Sequence, residues 1–464
     1  MKDRVSRPAR VFGRPTPRHH GVVSRTLLAS LALVATLAAG AVGRAPAAEL
    51  AVALRGTPQR AEVGPAVPRP PRHRIAVRVV HGEGEFFVRA TRKRFVPRGN
   101  NYLRRGRIEL PSGERVGQRS TTFMVGGYDA RGAERALREM HRLGYNVVRV
   151  WLDELCRSAC SGDPVTQGVS RRYVANVADF LRRAKRNHIF VLLVVPSTPA
   201  GTTYERTVNR SCCMQFGATN AWFLTQGGIE GFAAYWRALL RELIRQRAPT
   251  DAIWAYSLEN EAHFRADEPP LSRSAGTVMT ANGRSYDLAS PLERQQMMDE
   301  NLVHWVDRLR AAIRSIDPTA LVTIGFFWPQ GPHATRPGDP RLIRTKPVVD
   351  GLSLDFVDLH TYPALELSLP QFVENYELPR ITRKPVVLGE FGAFHFAFPT
   401  PASAADAMRR WQIESCAFGF DGWLLWTWDT KTPGPNELNL WTAKDGDAAI
   451  GRSLAPAARP DPCA

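Results

Sequence analysis

The chain has 464 residues, 44% of them hydrophobic and 23% charged, which excludes a disordered, collagen-like or wholly membrane-embedded chain and allows a large buried core. Lys and Arg number 62 against 44 Asp and Glu, a formal charge of +18, of which residues 1–48 carry +7 and the rest +11 as scattered Arg. No basic stripe interleaved with aromatics is visible, so the excess does not point to a nucleic-acid partner.

Leu27 to Val42 is an unbroken run of 16 apolar and small residues, behind a basic stretch and ahead of Ala45-Pro46-Ala47-Ala48. This is the pattern of a secretory signal over residues 1–48, and the run is short of the roughly 20 residues that span a bilayer. The expectation is a secreted, extracellular monomer with no stable membrane insertion once the signal is removed. Residues 49–75 are rich in Pro, Ala and Arg without a sustained period and read as a linker. From Ile75 apolar and polar residues alternate (Ile75, Val77, Val79, then Phe87 and Val88), predicting a short β-hairpin that caps one end of the main domain, residues 76–440. Residues 441–464 read as an extended tail pinned back by Cys463. The six cysteines, Cys156, Cys160, Cys212, Cys213, Cys416 and Cys463, suit disulfides in an exported chain, with the pairing open. The first four lack the two-residue spacing of a zinc ribbon.

Beyond the hairpin, eight β-rich runs alternate with amphipathic segments. They are Arg94–Asn101, Asn146–Trp151, Ile189–Val195, Ala252–Leu258, Leu321–Phe327, Phe356–His360, Pro385–Gly389 and Gly422–Thr427. Val174, Val177, Phe180, Leu181 and Ala184 recur at helical spacing, as do Leu302, Trp305, Leu309 and Ile313, so these stripes should face a sheet. Gly144 and Pro318 stand where such helices would stop. The pattern predicts an α/β fold, a (β/α)8 TIM barrel with a short N-terminal β-hairpin. A doubly wound sheet is disfavoured because no Gly-rich phosphate turn follows the first strand.

Barrel enzymes carry their chemistry at the C-terminal strand ends. Here those ends hold Arg149, Asn260-Glu261, His360 with Tyr362, Glu390, and Trp426 with Trp428. Glu261 follows the fourth strand and Glu390 ends the seventh, so two carboxylates face each other over one barrel mouth. Cleavage of a glycosidic bond needs such a pair, one protonated to expel the leaving oxygen and one ionised to attack or stabilise the sugar cation. A guanidinium beside one and a less polar wall beside the other would separate their pKa values.

Asn260-Glu261 after strand four, with Gly389-Glu390-Phe391-Gly392 after strand seven, resembles the clan A glycoside hydrolases, specifically glycoside hydrolase family 5, the cellulase and mannanase family. Arg149 in Asn146-Val147-Val148-Arg149-Val150-Trp151, His360-Thr361-Tyr362-Pro363 and Trp426-Thr427-Trp428-Asp429 extend the resemblance over about residues 85–435. It implies Glu261 as acid/base and Glu390 as nucleophile of a retaining double displacement, without metal or other cofactor. It further implies that Asn260 binds the sugar 2-hydroxyl, that Arg149 and Tyr362 hydrogen-bond the nucleophile and keep its pKa low, and that His360 lines the site. Trp426 and Trp428, two apart, would share one strand face, and Trp428 is favoured as the sugar-stacking residue. Trp328, directly after strand five, is a further candidate platform, ahead of Trp151, Trp222, Phe391 and Phe394.

The chain departs from the family pattern where strand three ends in Val194-Val195-Pro196-Ser197-Thr198, without His, and where Ala262 follows Asn260-Glu261. Glu259 is a decoy two residues from Glu261, and Asp355, Asp358 and Asp421 read as capping or bridging groups. His360 has no metal-ligand companion at helical spacing. The expected function is secreted hydrolysis of a β-1,4-linked polysaccharide, a β-glucan such as cellulose. A β-mannanase or an exo-acting β-glycosidase of the same family is the alternative, and a non-catalytic carbohydrate-binding barrel the rival from another class. Gly201–Gly217 and His263–Ser285 are insertions that could wall a groove.

Overall fold

All eight predicted strands form and run parallel around one ring. The computed structural model describes residues 70–109, 115–118, 121–152, 169–199, 202–210, 215–327, 341–351, 353–363, 367–378, 383–431 and 439–463. They belong to one unit, Pro65–Ala464. The expected signal, most of the linker, Trp328, and Cys156, Cys160, Cys212 and Cys213 lie outside the described residues. The strands are β1 (Arg98–Asn101), β2 (Val147–Trp151), β3 (Phe190–Val194), β4 (Ile253–Ser257), β5, β6 (Val357–Thr361), β7 (Val386–Phe391) and β8 (Phe420–Leu425). β5 is split: Val322–Thr323 pairs with β4 and Gly325–Phe326 with β6, so a break at Ile324 closes the barrel.

The helices bury the stripes read from the sequence. Helix Arg171–Arg186 buries Val174, Val177, Phe180, Leu181 and Ala184, and helix Pro291–Arg314 buries Leu302, Trp305, Leu309 and Ile313. Helix Ala130–Arg142 is capped by the Asp129 side chain and stops before Gly144, whose φ of +84° suits a residue without Cβ. No helix among the described residues is long and apolar enough to cross a membrane.

The hairpin, Ile75–Val80 paired with Glu83–Val88, plugs the base of the barrel. Phe86 meets the rings of Trp254 and Phe356 edge-on, each at 5.2 Å, within a cluster that includes Ile75, Phe95, Phe190, Leu192 and Leu321. The apolar lower interior leaves the polar inward residues to the upper rim.

Two readings are corrected at the chain ends. The expected linker is anchored by residue 73: His73 is fully buried, its Nε2 lies 2.6 Å from Asp317 Oδ2, and its backbone N–H donates to Thr319. The expected extended tail contains the helical stretch Asp445–Ser453 and packs on the barrel, with Arg98 donating to the carbonyls of Leu454 and Arg459. Cys463 is bonded to Cys416. The tail helix escaped the periodicity reading because it is short and buries Ala448, Ile450 and Gly451, a set too small for a stripe.

Candidate active site

Along β6 Asp358 and His360 share the inward face, as Arg149 and Trp151 do along β2, following the two-residue alternation of a strand. β7 breaks that alternation. Its register slips against both β6 and β8 around Leu388–Phe391, and this irregularity aims Glu390 at the site. Gly389 before it must lack a side chain, because a Cβ there would lie 1.6 Å from Asp358 Oδ1.

Glu390 is held on both oxygens. The Arg149 guanidinium donates to Oε1, and Tyr362 Oη donates to Oε2 at 2.6 Å. Arg149 is fully buried and also donates to Asn101 Oδ1 at 3.2 Å and Asn260 Oδ1 at 3.0 Å. Trp151 Nε1 donates to the same Asn260 oxygen at 3.0 Å, so two donors fix which end of the amide is the oxygen. Asn101 in turn donates to the Gly389 carbonyl at 2.9 Å. His360 Nδ1 lies 3.0 Å from Glu261 Oε1 and 3.6 Å from Glu390 Oε1.

One oxygen of Glu261, one oxygen of Glu390 and a ring nitrogen of His360 all lie within 4.8 Å of one another. These three are also the group of donor atoms, among the described residues, close enough to share a cation. Arg149 already neutralises Glu390 there, and we assign no metal.

The electrostatics differ from expectation. The Glu390 pKa is raised, not lowered: burial is the largest influence and the Glu261 charge adds to it, while His360, Arg149 and the Tyr362 hydrogen bond pull the other way. Arg149 and Tyr362 hold the carboxylate where expected, but in a side chain 4% exposed desolvation outweighs them, whereas the Glu261 side chain is 32% exposed. Burial lowers the His360 pKa to about 3, so the ring is neutral, and it raises that of Tyr362 well above the ordinary phenol value.

The two tryptophans exchange places. Trp428 is 2% exposed and part of the core, whereas Trp426 is half-buried and packs edge-on against Trp151 at 5.1 Å. β8 ends at Leu425, so the alternation that put both on one face does not extend to them. Trp151, Phe391 and Phe394 are buried. Glu259 is buried too, its carboxylate accepting from the Asn260 backbone. Asp355 and Asp421 bridge as expected, to Arg310, Arg314 and Val322 N–H, and to Arg94 and Val386 N–H.

Asp358 does not cap or bridge a rim. It is fully buried inside the barrel, 3.8 Å from Arg149 Nε and 3.8 Å from His360 Nε2, and burial pushes its pKa up to about 7. Its position two residues before His360 was the available signal.

No curated protein sequence matches the chain. Among solved structures, the fold is similar to the endo-1,4-beta-mannanase from Rhizomucor miehei (16% identity, 82% of this chain and 98% of that one, TM-score 0.53). It is also similar to the endo-beta-1,4-mannanase from Thermotoga petrophila (15% identity, 80% and 78%, TM-score 0.51). A third likeness is to the exo-beta-1,4-mannosidase from Opitutaceae bacterium strain TAV5 (20% identity, 82% and 62%, TM-score 0.52). The profile of the cellulase family, glycosyl hydrolase family 5, matches residues 111–432. The chain therefore belongs to that family and is a glycoside hydrolase.

Proposed function

We propose that this glycoside hydrolase is a retaining β-1,4-glycanase whose first substrate is a β-mannan. The observation that carries the mechanism is the 4.8 Å limit on the Glu261–Glu390 oxygen separation. Retaining enzymes hold their carboxyl groups about 5–5.5 Å apart, whereas inverting ones leave about 6.5–9.5 Å for a water. Glu390 attacks the anomeric carbon while Glu261 protonates the departing glycosidic oxygen. Glu261 then takes a proton from water, whose oxygen displaces Glu390 from the glycosyl ester. Asn260 Nδ2 donates to the sugar 2-hydroxyl, and the half-buried Trp426 is the stacking platform.

Mannan is supported by the named activities of the three structural neighbours. The cellulase family profile supports glucan as the second reading. Export is part of the proposal, supported by the signal-like N-terminus and the Cys416–Cys463 disulfide.

The test is reducing-sugar release from soluble β-mannans, β-glucans and xylan, with Glu261→Ala and Glu390→Ala alongside, and NMR of the first-formed anomer. Release from mannan with retained configuration, lost in both variants, is expected. Binding without release across the pH range would replace the hydrolytic reading by a binding barrel, and inversion would refute the nucleophile.

A further inference from the structure

Asp358 is a carboxyl group that the double displacement described above does not use. Its surroundings are specific. The missing Cβ of Gly389 makes the space its carboxyl occupies, and neither of its oxygens has a side-chain hydrogen-bond partner. The same holds for the two groups that face it at 3.8 Å, Arg149 Nε and His360 Nε2. All three residues are fully buried. A carboxylate in such an interior acts on a nearby imidazole with little screening, and the nitrogen it faces is the one that keeps the ring proton.

His360 connects this carboxyl to Glu261. Its Nε2 faces Asp358 and its Nδ1 lies 3.0 Å from Glu261 Oε1. The ring is neutral, so one nitrogen donates and the other accepts. With Asp358 ionised, the proton sits on Nε2, and Nδ1 can only accept from a protonated Glu261. With the proton on Asp358, Nε2 is the unprotonated nitrogen and Nδ1–H donates to an ionised Glu261. The two arrangements hold the same number of protons. Passing from the first to the second moves a proton from Glu261 to Nδ1 and another from Nε2 to Asp358, with no change in net charge.

We propose that Asp358 is a positioning residue which, through the tautomer of His360, sets the balance between the acid and base forms of Glu261. The inference rests on the reading of Glu261 as acid/base. Only the first arrangement presents the acid that expels the leaving oxygen, so the balance between the two sets the fraction of resting enzyme competent for the first half-reaction. The proton given to the leaving oxygen is regained from the incoming water by Glu261 itself. The charged and titratable groups around it are Arg149 from β2, Glu390 from β7, Glu261 after β4, and Tyr362 beyond Glu390. Burial raises the proton affinity of Asp358, and Arg149 opposes that rise.

Asp358→Asn tests this, because the amide fits the same space but carries no charge to hold the ring proton on Nε2 and cannot take that proton up. Loss of that charge shifts the ring toward Nδ1–H and favours ionised Glu261. On glycosides with poor leaving groups, which need the acid, kcat/KM is expected to fall about 10- to 100-fold, as for other supporting residues behind a reacting group. On the dinitrophenyl glycoside, which does not need it, cleavage stays within about threefold of wild type and the basic limb of kcat/KM for poor leaving groups moves to lower pH. A uniform loss on both substrates with an unshifted profile would assign Asp358 to packing alone and overturn the proposal. Nitrogen-15 NMR of histidine-labelled wild-type enzyme is a second readout that needs no variant: a resting ring proton on Nε2 is expected, and one on Nδ1 refutes the relay. Glu261→Ala separates the two levels. If it shows no selective loss on poor leaving groups, the acid/base reading itself fails; if it does while Asp358→Asn matches wild type, only the relay fails.

Discussion

Tyr362→Phe isolates one of the groups that keep the proposed nucleophile ionised. Tyr362 Oη donates to Glu390 Oε2 at 2.6 Å, and the two residues are 8% and 3% exposed, so the bond is short, charge-assisted and dry. A hydrogen bond to a charged acceptor contributes about 1.5–3 kcal/mol, and about 1.4 kcal/mol corresponds to one pH unit. Deleting the hydroxyl removes an influence that lowers the Glu390 pKa, leaving burial less opposed. The acidic limb of kcat/KM should therefore move up by about one to two pH units. A dinitrophenyl glycoside is the substrate of choice, because its departure does not need Glu261 and the limb then reports Glu390. Stability gives an independent reading with a definite sign. The folded Glu390 binds its proton more tightly than the unfolded chain does, so its contribution falls as pH rises from the ordinary carboxylate range through the raised folded value. Tyr362→Phe should deepen that fall, costing more in denaturant at neutral than at acidic pH. An acidic limb that does not move, with wild-type stability at neutral pH, would refute the assignment of Tyr362 as a partner of the carboxylate.

Trp426→Ala should raise KM for oligosaccharides about three- to tenfold, through loss of roughly 0.5–1.5 kcal/mol of ring stacking, with little change in melting temperature. Trp428→Ala should instead cost about 3–5 kcal/mol of stability, and equal effects of the two on KM would refute their separation. Phe86→Ala, which empties the plug at the barrel base, should also cost about 3–5 kcal/mol while leaving KM unchanged; an altered KM would show that the hairpin reaches the site. Cys416 and Cys463 are 47 residues apart, and the chain-entropy relation gives about 4 kcal/mol for such a loop. Replacing both by Ser should lower denaturation stability by about 3–4 kcal/mol, and a loss below about 1 kcal/mol would show that packing, not the cross-link, holds the tail.

The strands were legible because buried parallel strands carry apolar residues on both faces, as Val147-Val148 and Val150-Trp151 do around Arg149. Polar residues interrupting or directly following such a run had to be inside the barrel or at its mouth, which is how Arg149, Glu261, His360 and Glu390 could be placed at the C-terminal strand ends. The rest depended on relations that spacing does not carry. Trp426 and Trp428 were placed on one face by an alternation that stops at Leu425, and the preference for Trp428 rested on its likeness, ahead of Asp429, to the family's strand-eight ending. Asp358 carries the same residue type as Asp355 and Asp421, and only its inward register distinguishes it from those rim bridges. His73 meets Asp317 across 244 positions, and nothing in the pattern around either residue announces the pair.

The burial asymmetry between the two carboxylates fits their proposed roles better than a guanidinium alone would. A nucleophile that forms a covalent ester has to be stripped of water, and desolvation raises its proton affinity, so Arg149 and Tyr362 act as the counterweight that keeps it charged. The acid/base group has the opposite need, because it must give a proton to a leaving oxygen and regain one from an incoming water. A side chain 32% exposed can meet both partners, whereas one 4% exposed, as Glu390 is, could not exchange freely. On this reasoning, exchanging the two environments would abolish turnover even with both carboxyl groups in place. Polar groups brought in beside Glu390 should speed hydrolysis of a trapped glycosyl ester only by admitting water, and should not do so by making the nucleophile stronger.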